Sequence, residues 1–137
     1  MNQKIISFLL ILLLVTTMSV KSVHAEQSFV DVPSTAEAYN EINFLVNNDI
    51  INGYTENGKK YFKPLNAVTR WQAAKMVVNA TGQQPLKVTK SSFTDVAVGS
   101  ESSAYIERAM QLGYFQATPG GPFYPNAPLT RGEMSYY

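Results

Sequence analysis

An internal repeat constrains the fold of this chain more than any other feature of its sequence. Phe29–Val32 recurs as Phe93–Val96, and Phe62–Pro64 recurs as Phe123–Pro125. The offset is 64 residues for the first pair and 61 for the second, so one three-residue deletion in a loop aligns the two copies. The chain is therefore expected to form two copies of one structural unit.

Each copy begins with a predicted amphipathic helix. In the first copy Ser34 and Glu37 have the spacing of a capping box, and apolar residues follow at helical spacing, which predicts a helix over about residues 35–48. In the second copy Ser100 is the expected N-cap, and Gly113 is expected to end the helix in a left-handed conformation. The two first helices are expected to match.

A loop rich in Gly, Pro and aromatic residues follows each first helix. In the first copy it contains Asn57-Gly58, a tight-turn sequence that predicts a short hairpin. A second helix then begins with a capping box, Thr69 with Gln72 in the first copy and Thr130 with Glu133 in the second. We therefore predict a mostly α fold of tandem helix-loop-helix repeats with short β-hairpin-like loops.

The N-terminal segment is interpreted as a cleaved secretory signal peptide. It has a positively charged start, an apolar core from Ile5 to Val15 that is too short to span a bilayer, and the small residue Ala25 at its end. The alternative is an uncleaved membrane anchor. The predicted segments are a signal peptide over 1–25, a first repeat over 26–83, a linker over 84–92 and a second repeat over 93–137.

Cleavage of this segment changes the charge and the available chemistry. The eleven Lys and Arg residues lose Lys4 and Lys21, which leaves nine against ten Asp and Glu and a net charge of −1. Such a surface argues against nucleic-acid binding, which needs a basic face. The sole histidine, His24, is also removed and the chain has no Cys, which excludes catalytic triads, Cys nucleophiles and His- or Cys-based metal sites. We expect no enzymatic activity, metal, cofactor or membrane association after cleavage.

The motifs and their order resemble the S-layer homology (SLH) repeat of bacterial surface proteins. That pattern runs from Phe-x-Asp-Val through an amphipathic helix to Gly-Ile-Ile-x-Gly-Tyr, Phe-x-Pro and Thr-Arg-Ala-Glu. The first copy supplies Phe29–Val32, Asp49–Tyr54, Phe62–Pro64 and Thr69–Gln72. The second supplies Phe93–Val96, Gly113–Gln116, Phe123–Pro125 and Thr130–Glu133. The sequence departs from the pattern at Asp49, at Trp71-Gln72, at Gly132 and in the short second copy.

The resemblance implies a role in anchoring. SLH repeats hold exported proteins on Gram-positive-type envelopes by binding secondary cell-wall polysaccharides, often ones that carry acidic pyruvate ketals. Three repeats commonly form a pseudo-threefold helical bundle, of which this chain would supply a part. The implied location is secreted, at the cell wall or surface layer. The alternative is an interaction module that completes a three-repeat unit with a second copy or a partner chain, and a carboxylate-only glycosidase is the least favoured reading.

The two repeated arginines are the sharpest candidates for ligand contacts. Arg70 and Arg131 lie in the first turn of a predicted helix, where their charge meets the positive end of the helix dipole. A carboxylate or pyruvyl group bound there would receive backbone N–H hydrogen bonds and an Arg contact together. The alternative is an internal ion pair, Arg70 with Asp31 and Arg131 with Asp95.

Other candidates have both a structural and a ligand-binding interpretation. Asp31 and Asp95 are expected to brace loops or to orient the arginines. The aromatic side chains of Trp71, Tyr54 and Tyr124 are suited to stacking on sugar rings, although the spacing of Trp71 equally fits a core position. The lysines around the predicted hairpin are interpreted as a solvated edge or a contact for a wall polyanion. The predicted ligand-binding residues are Arg70, Arg131, Thr69, Thr130, Trp71, Tyr54, Asp31 and Asp95.

Overall fold

A computed structural model of the protein describes residues 29–134. The predicted signal peptide, residues 1–25, and the end of the second repeat, residues 135–137, lie outside this range. Signal cleavage and the segment boundaries therefore stay predictions. Below, repeat 1 denotes residues 29–83 and repeat 2 denotes residues 93–134.

The described part of the chain is mostly helical, with one small antiparallel sheet. This agrees with the predicted mostly α class. In chain order the elements are α1 (Tyr39–Asn47), β1 (Tyr54–Glu56), β2 (Lys59–Tyr61), α2 (Arg70–Ala80), α3 (Glu101–Gln111) and α4 (Arg131–Met134).

The first helix begins later than predicted. Its N-cap is Ala38, which makes no side-chain cap hydrogen bond, so the capping box predicted for Ser34 and Glu37 is wrong. The residues after Pro33 form successive turns instead, in which the Ala36 N–H donates to the Pro33 carbonyl at 2.8 Å. Because these turns satisfy the local backbone groups, the α-helical hydrogen bonds of α1 start only after them.

The start of α3 agrees with its prediction. Ser100 is the N-cap, and its hydroxyl accepts a hydrogen bond from the Ser103 N–H at 3.1 Å. Ser103 is itself completely buried, and its hydroxyl donates to the Ser100 carbonyl at 2.8 Å. The first turn of α3 is therefore closed by reciprocal serine contacts.

The helices α1 and α3 end in the same way. After α1 the Asp49 N–H donates to the Val46 carbonyl at 3.0 Å, and the Ile50 N–H donates to the Leu45 carbonyl at 2.9 Å. This is a Schellman motif, which needs a left-handed residue just past the helix. Asp49 has φ of 57°, and its counterpart Gly113 after α3 has φ of 77°. The predicted left-handed conformation of Gly113 is confirmed.

The sheet is the hairpin predicted from Asn57-Gly58. Tyr54 lies opposite Tyr61 in an antiparallel register, and the two-residue loop has φ of 49° at Asn57 and 74° at Gly58. Positive φ at both positions is the geometry of the type I′ turn that this dipeptide favours. The Val30 N–H donates to the Lys60 carbonyl at 2.9 Å, which ties the start of repeat 1 to the hairpin.

The buried apolar residues form two clusters, and α2 lies between them. Core A joins the inner face of α2 to α3 and the loops of repeat 2, and core B lies under α1 with Met76 of α2 packed against it. Core A consists of Ala73, Ala74, Val78, Phe93, Val96, Ile106, Ala109, Phe115 and Phe123. Core B consists of Phe29, Val32, Ile42, Val46 and Ile51.

Small side chains allow α2 and α3 to pack closely. Ala74 of α2 and Ile106 and Ala109 of α3 are all completely buried. Burial of a side chain the size of Ile106 contributes about 1.5 to 3 kcal/mol. The second helix of repeat 1 therefore completes the core of repeat 2, and core A contains residues of both repeats.

The segment 84–92, predicted to be a linker, is bound along α3. The Leu86 N–H donates to the Ala104 carbonyl at 3.0 Å, and the Arg108 Nε donates to the Gln84 carbonyl at 2.7 Å. The Glu107 carboxylate accepts hydrogen bonds from the N–H and hydroxyl of Ser92. These contacts hold the connection between the repeats against the core.

Candidate functional site

The N-terminus of α2 is closed by contacts within the chain. Thr69 and Gln72 form the predicted capping box, in which the Thr69 N–H donates to Gln72 Oε1 at 3.0 Å. The Arg70 N–H donates to the Ala127 carbonyl, and the Trp71 N–H donates to the Pro125 carbonyl, both at 3.0 Å. These backbone donors are already used, so an anion cannot bind them without displacing the loop of repeat 2.

Arg70 is held in the contact between the two repeats. Its Nε donates to the Phe123 carbonyl at 2.9 Å, and its Nη1 donates to Glu133 Oε1 at 2.6 Å. The guanidinium carbon lies 4.8 Å from the centre of the Phe123 ring, and the side chain is 12% exposed. Arg70 therefore forms an internal ion pair, as the alternative interpretation predicted. The predicted partner, Asp31, is wrong, because the carboxylate that pairs with Arg70 is that of Glu133.

Sequence reasoning gave Glu133 a capping role and did not predict that it pairs with Arg70. It has that role as well, because the Thr130 N–H donates to its Oε2 at 2.9 Å and Glu133 N–H donates to Thr130 Oγ1 at 3.1 Å. The hydrogen bonds from the N–H and hydroxyl of Thr130, together with the nearby Arg70 charge, lower the pKa of the Glu133 carboxyl below its ordinary value of 4.5. The same carboxylate thus caps α4 and binds Arg70.

The two repeated aspartates brace loops, which was one of their two predicted roles. Asp31 accepts hydrogen bonds from the Phe62 N–H at 2.8 Å and the Lys63 N–H at 2.7 Å. Asp95 accepts from the equivalent pair, the N–H groups of Phe123 and Tyr124, at 2.7 and 2.8 Å. Burial alone would raise the pKa of each carboxyl, but these backbone bonds outweigh it and hold both pKa values below 3.8.

Arg131 differs from Arg70 although the two arginines are equivalent in sequence. Arg131 is exposed, and no ion pair with Asp95 is found among the residues described. The loop that covers Arg70 comes from repeat 2, and no corresponding loop lies on Arg131 within residues 29–134. Of the two arginines predicted to contact an anion, Arg70 is therefore bound by groups of the same chain, whereas Arg131 is accessible to solvent.

A cavity of about 390 Å³ lies between α2 and the loops of repeat 1. This volume is in the range of small-ligand sites. Two of the predicted stacking residues, Tyr54 and Trp71, line it together with Ile51 and Phe62, so its wall is largely apolar and aromatic. We call it the repeat 1 groove. Tyr124, the third predicted stacking residue, does not line this groove.

Trp71 and Tyr54 are differently exposed. Trp71 is partly buried and packs against core A, which confirms the core interpretation of its spacing, and its role in stacking stays a prediction. Tyr54 is 37% exposed, and its hydroxyl accepts a hydrogen bond from the Gln72 Nε2 at 3.1 Å. The aromatic wall is thus anchored at Trp71 and accessible at Tyr54.

Two lysines also line the repeat 1 groove. Lys63 forms an ion pair with Glu56, and its Nζ lies 4.9 Å from the centre of the Tyr54 ring. Hydrogen bonding to Glu56 raises the pKa of Lys63 above its ordinary value. The Nζ of Lys75 lies 2.6 Å from Oε1 of Glu101 in repeat 2, so Lys75 is also ion-paired. Sequence reasoning did not single out Lys75, although its position four residues after Trp71 puts both on one helix face.

Two kinds of feature are not found in the described part of the chain. Between residues 29 and 134 there is no group of three or more His, Cys, Asp or Glu side chains arranged to hold a metal ion. No helix in the same range is long and apolar enough to cross a membrane.

Comparison with known proteins agrees with this architecture. The family model of the S-layer homology domain matches residues 28–74 and 92–135, which are the two repeats. The chain is 32% identical over 111 residues to an S-layer protein of Bacillus thuringiensis subsp. finitimus and 31% identical over 111 residues to S-layer protein sap of Bacillus anthracis. Each alignment covers 81% of this chain and 13% of the relative.

The chain belongs to the S-layer homology domain family. The predicted resemblance is thereby confirmed, and the family and its S-layer relatives indicate a secreted protein at the cell surface. Since the chain spans about an eighth of the length of these relatives, the similarity concerns the repeats and not the remainder of those proteins.

Proposed function

We propose that this chain is a noncatalytic cell-surface anchoring module that binds an anionic secondary cell-wall polysaccharide in the repeat 1 groove. The observation that carries the proposal is the composition of that groove, in which Tyr54 and Trp71 form an aromatic wall and Lys63 and Lys75, each paired with a glutamate, supply ammonium donors. Aromatic faces pack against the C–H surfaces of sugar rings, and lysines attract carboxylates such as those of pyruvate ketals.

The roles of the other candidate residues follow from their contacts. Arg70 is used between the repeats, so we assign it the positioning of the loop that closes α2. Arg131 is exposed and is the arginine available to an acidic group of the polymer. Thr69 and Thr130 cap their helices, and Asp31 and Asp95 fix the loops that shape the two repeats.

Cosedimentation with purified Gram-positive cell walls tests the proposal. The protein should pellet with intact walls and stay in solution after the secondary polymer has been removed by acid. Tyr54→Ala should weaken binding about tenfold through loss of one stacking contact. Tyr124→Ala is the matched control, because Tyr124 is 62% exposed and lies outside the groove.

Two results would count against the proposal. Equal pelleting with stripped walls would show that the secondary polymer is not the ligand. Equal effects of the Tyr54 and Tyr124 variants would remove the groove from the binding site. Binding should also weaken as salt is added, because dissolved ions screen the attraction between the half-buried groove lysines and the carboxylates of the polymer.

A second candidate function is self-association through the surface that surrounds Arg131. In repeat 1 the equivalent arginine is covered by the Phe123–Leu129 loop, and the corresponding loop of repeat 1 carries Leu65, which is 98% exposed. A second copy would cover Arg131 with this loop as repeat 2 covers Arg70, with Gln72 at the position that Glu133 has in that contact. The three-repeat bundle implied by the family resemblance would then form between chains.

Sedimentation velocity over a range of protein concentrations tests this candidate. Self-association predicts a larger species that dissociates on dilution and is weakened by Arg131→Ala and by Leu65→Ser. A folded monomer at every concentration would contradict it, and circular dichroism would verify that the chain is helical in that sample.

A further inference from the structure

A second, polar cleft of about 330 Å³ lies where α1 and α2 end. Its wall is rich in carboxamide side chains, contributed by the end of α1, the second half of α2 and the residues that follow each helix. These side chains are Asn48, Asn52, Asn79, Gln83 and Gln84. We call this the amide cleft, and it has a different character from the aromatic repeat 1 groove.

Three of the five carboxamides of the cleft are available for a ligand, because Asn48 Nδ2 donates to the Phe44 carbonyl at 2.7 Å and Asn79 is also engaged. Asn79 Nδ2 donates to the Asp49 carbonyl at 2.9 Å and thereby joins the ends of α1 and α2. Gln83 and Gln84 are exposed, and among residues 29–134 their side-chain amides have no hydrogen-bond partner. Their backbone groups are used elsewhere, since the Gln84 carbonyl accepts from Arg108 at 2.7 Å. Backbone contacts fix these two residues while their side chains stay accessible.

The lining of the cleft carries few charged groups. One acidic residue, Asp49, and one basic residue, Lys75, line it together with Tyr105. The Lys75 Nζ lies 5.4 Å from the centre of the Tyr105 ring and 2.6 Å from Glu101. Since Lys75 is already paired with Glu101, a cleft with many amides and few charged groups is suited to an uncharged ligand that both donates and accepts hydrogen bonds. Hydroxyl and acetamido groups of a neutral sugar have that chemistry.

The cleft and the groove adjoin. Asn52 and Lys75 line both of them, so the two cavities meet at these side chains on the same face of repeat 1. A linear polymer leaving the groove past Lys75 would therefore enter the amide cleft. A ligand confined to the groove would leave the amides in water.

We propose that the amide cleft is a second subsite for the same polysaccharide, occupied by a neutral sugar unit next to the unit bound in the repeat 1 groove. This inference rests on the proposed function, because it extends the path of the polymer bound there. Recognition would then require an oligosaccharide rather than a single sugar. The groove supplies stacking and positive charge, and the cleft supplies paired hydrogen bonds from Gln83, Gln84 and Asn52.

Titration calorimetry with size-fractionated fragments of acid-released secondary wall polysaccharide tests the second subsite. Fragments of several sugar units should bind the intact protein about tenfold more tightly than single units, since one or two added hydrogen bonds have that effect. A Gln83→Ala, Gln84→Ala double variant should reduce the affinity for long fragments to that for single units. Its affinity for single units should not change.

Gln116→Ala provides the matched control. Gln116 is exposed, occupies the position equivalent to Asn52 in repeat 2 and lines neither cavity. Thermal unfolding should be the same for the intact protein and both variants. Long fragments that bind no better than single units, or a double variant that behaves like the control, would overturn the second subsite and leave the groove in place. No binding of any fragment by the intact protein would overturn both proposals.

Discussion

The Nη1 of Arg70 donates a hydrogen bond of 2.6 Å to Oε1 of Glu133, and this contact joins two residues 63 positions apart. Arg70 begins α2 in repeat 1, whereas Glu133 lies in α4 of repeat 2. The equivalent arginine, Arg131, is exposed. One sequence motif therefore has two structural roles, and substitutions at the two arginines should have different consequences.

Arg70→Ala should destabilise the fold by about 2 kcal/mol, because it removes an ion pair, a carbonyl hydrogen bond and a contact with the Phe123 ring. Arg131→Ala should change the free energy of unfolding by less than about 0.5 kcal/mol, as is usual for exposed residues. Urea unfolding followed by circular dichroism measures both. Equal losses of stability would show that the Arg70 contacts contribute nothing specific.

Gly53→Ala should destabilise the fold more than Gly58→Ala. Both glycines have positive φ, 67° and 74°, so an added side chain costs about 1 kcal/mol or more at either position. At Gly53 the new Cβ would also lie 2.3 Å from the Phe29 ring and 2.7 Å from the Tyr61 carbonyl. Overpacking of this kind costs about 1 to 3 kcal/mol in addition.

Gly58 is the matched control for this prediction, because nothing lies within 4 Å of a Cβ built there. Thermal melts of the two variants provide the comparison. The close approach of Gly53 to core B would be contradicted if both variants melted at the same temperature.

Asp49→Gly should stabilise the protein by about 1 kcal/mol. Asp49 adopts φ of 57° at the position that Gly113 occupies after α3, and glycine relieves the steric cost of a left-handed residue there. The hydrogen bond from Asn79 is to the backbone carbonyl of Asp49, so the substitution keeps it. Chemical denaturation measures the change, and Gly113→Asp should have the opposite sign. A loss of stability in Asp49→Gly would indicate that its carboxylate makes a favourable contact.

Stability should fall in acid. In the folded chain the pKa values of Asp31 and Asp95 are held below 3.8, and that of Glu133 is held below 4.5. The folded state therefore favours the ionised form of these carboxyl groups more than the unfolded state does. The resulting stability is fully present above the unfolded values. The contribution of Glu133 is lost as the pH falls from about 4.5 through the lowered pKa that this group has in the folded state. The contribution of the two aspartates is lost in the same way as the pH falls from 3.8.

Thermal melts from neutral pH into this range measure the loss, and Asp31→Asn separates one contribution. An Asn amide presents one acceptor oxygen where the carboxylate presents two, so the variant should melt lower at neutral pH and lose less on acidification. Curves for the variant and the unaltered protein that run parallel through acid pH would contradict the role given to Asp31.

Features that depend on a few neighbouring residues could be predicted from the sequence. The capping box of Thr69 with Gln72, the type I′ turn at Asn57-Gly58 and the left-handed Gly113 each arise from side-chain or backbone contacts within four residues. The local prediction failed at Ser34, because successive turns after Pro33 competed with an early start of α1. Short-range hydrogen bonding therefore explains both the local predictions that were confirmed and the one that was wrong.

The family and the two-repeat organisation were also determined by sequence, since ordered motifs at fixed offsets identify the repeat unit without reference to its packing. The tertiary structure alone decided that α2 completes the core of repeat 2, that Arg70 is engaged while Arg131 is exposed, and that Lys75 belongs to the groove. The presence of equivalent motifs in the two repeats does not reveal these outcomes. Contacts between residues 50 or more positions apart, such as that of Arg70 with Phe123, depend on which surface the neighbouring repeat covers. The packing of the whole chain decides which surface is covered.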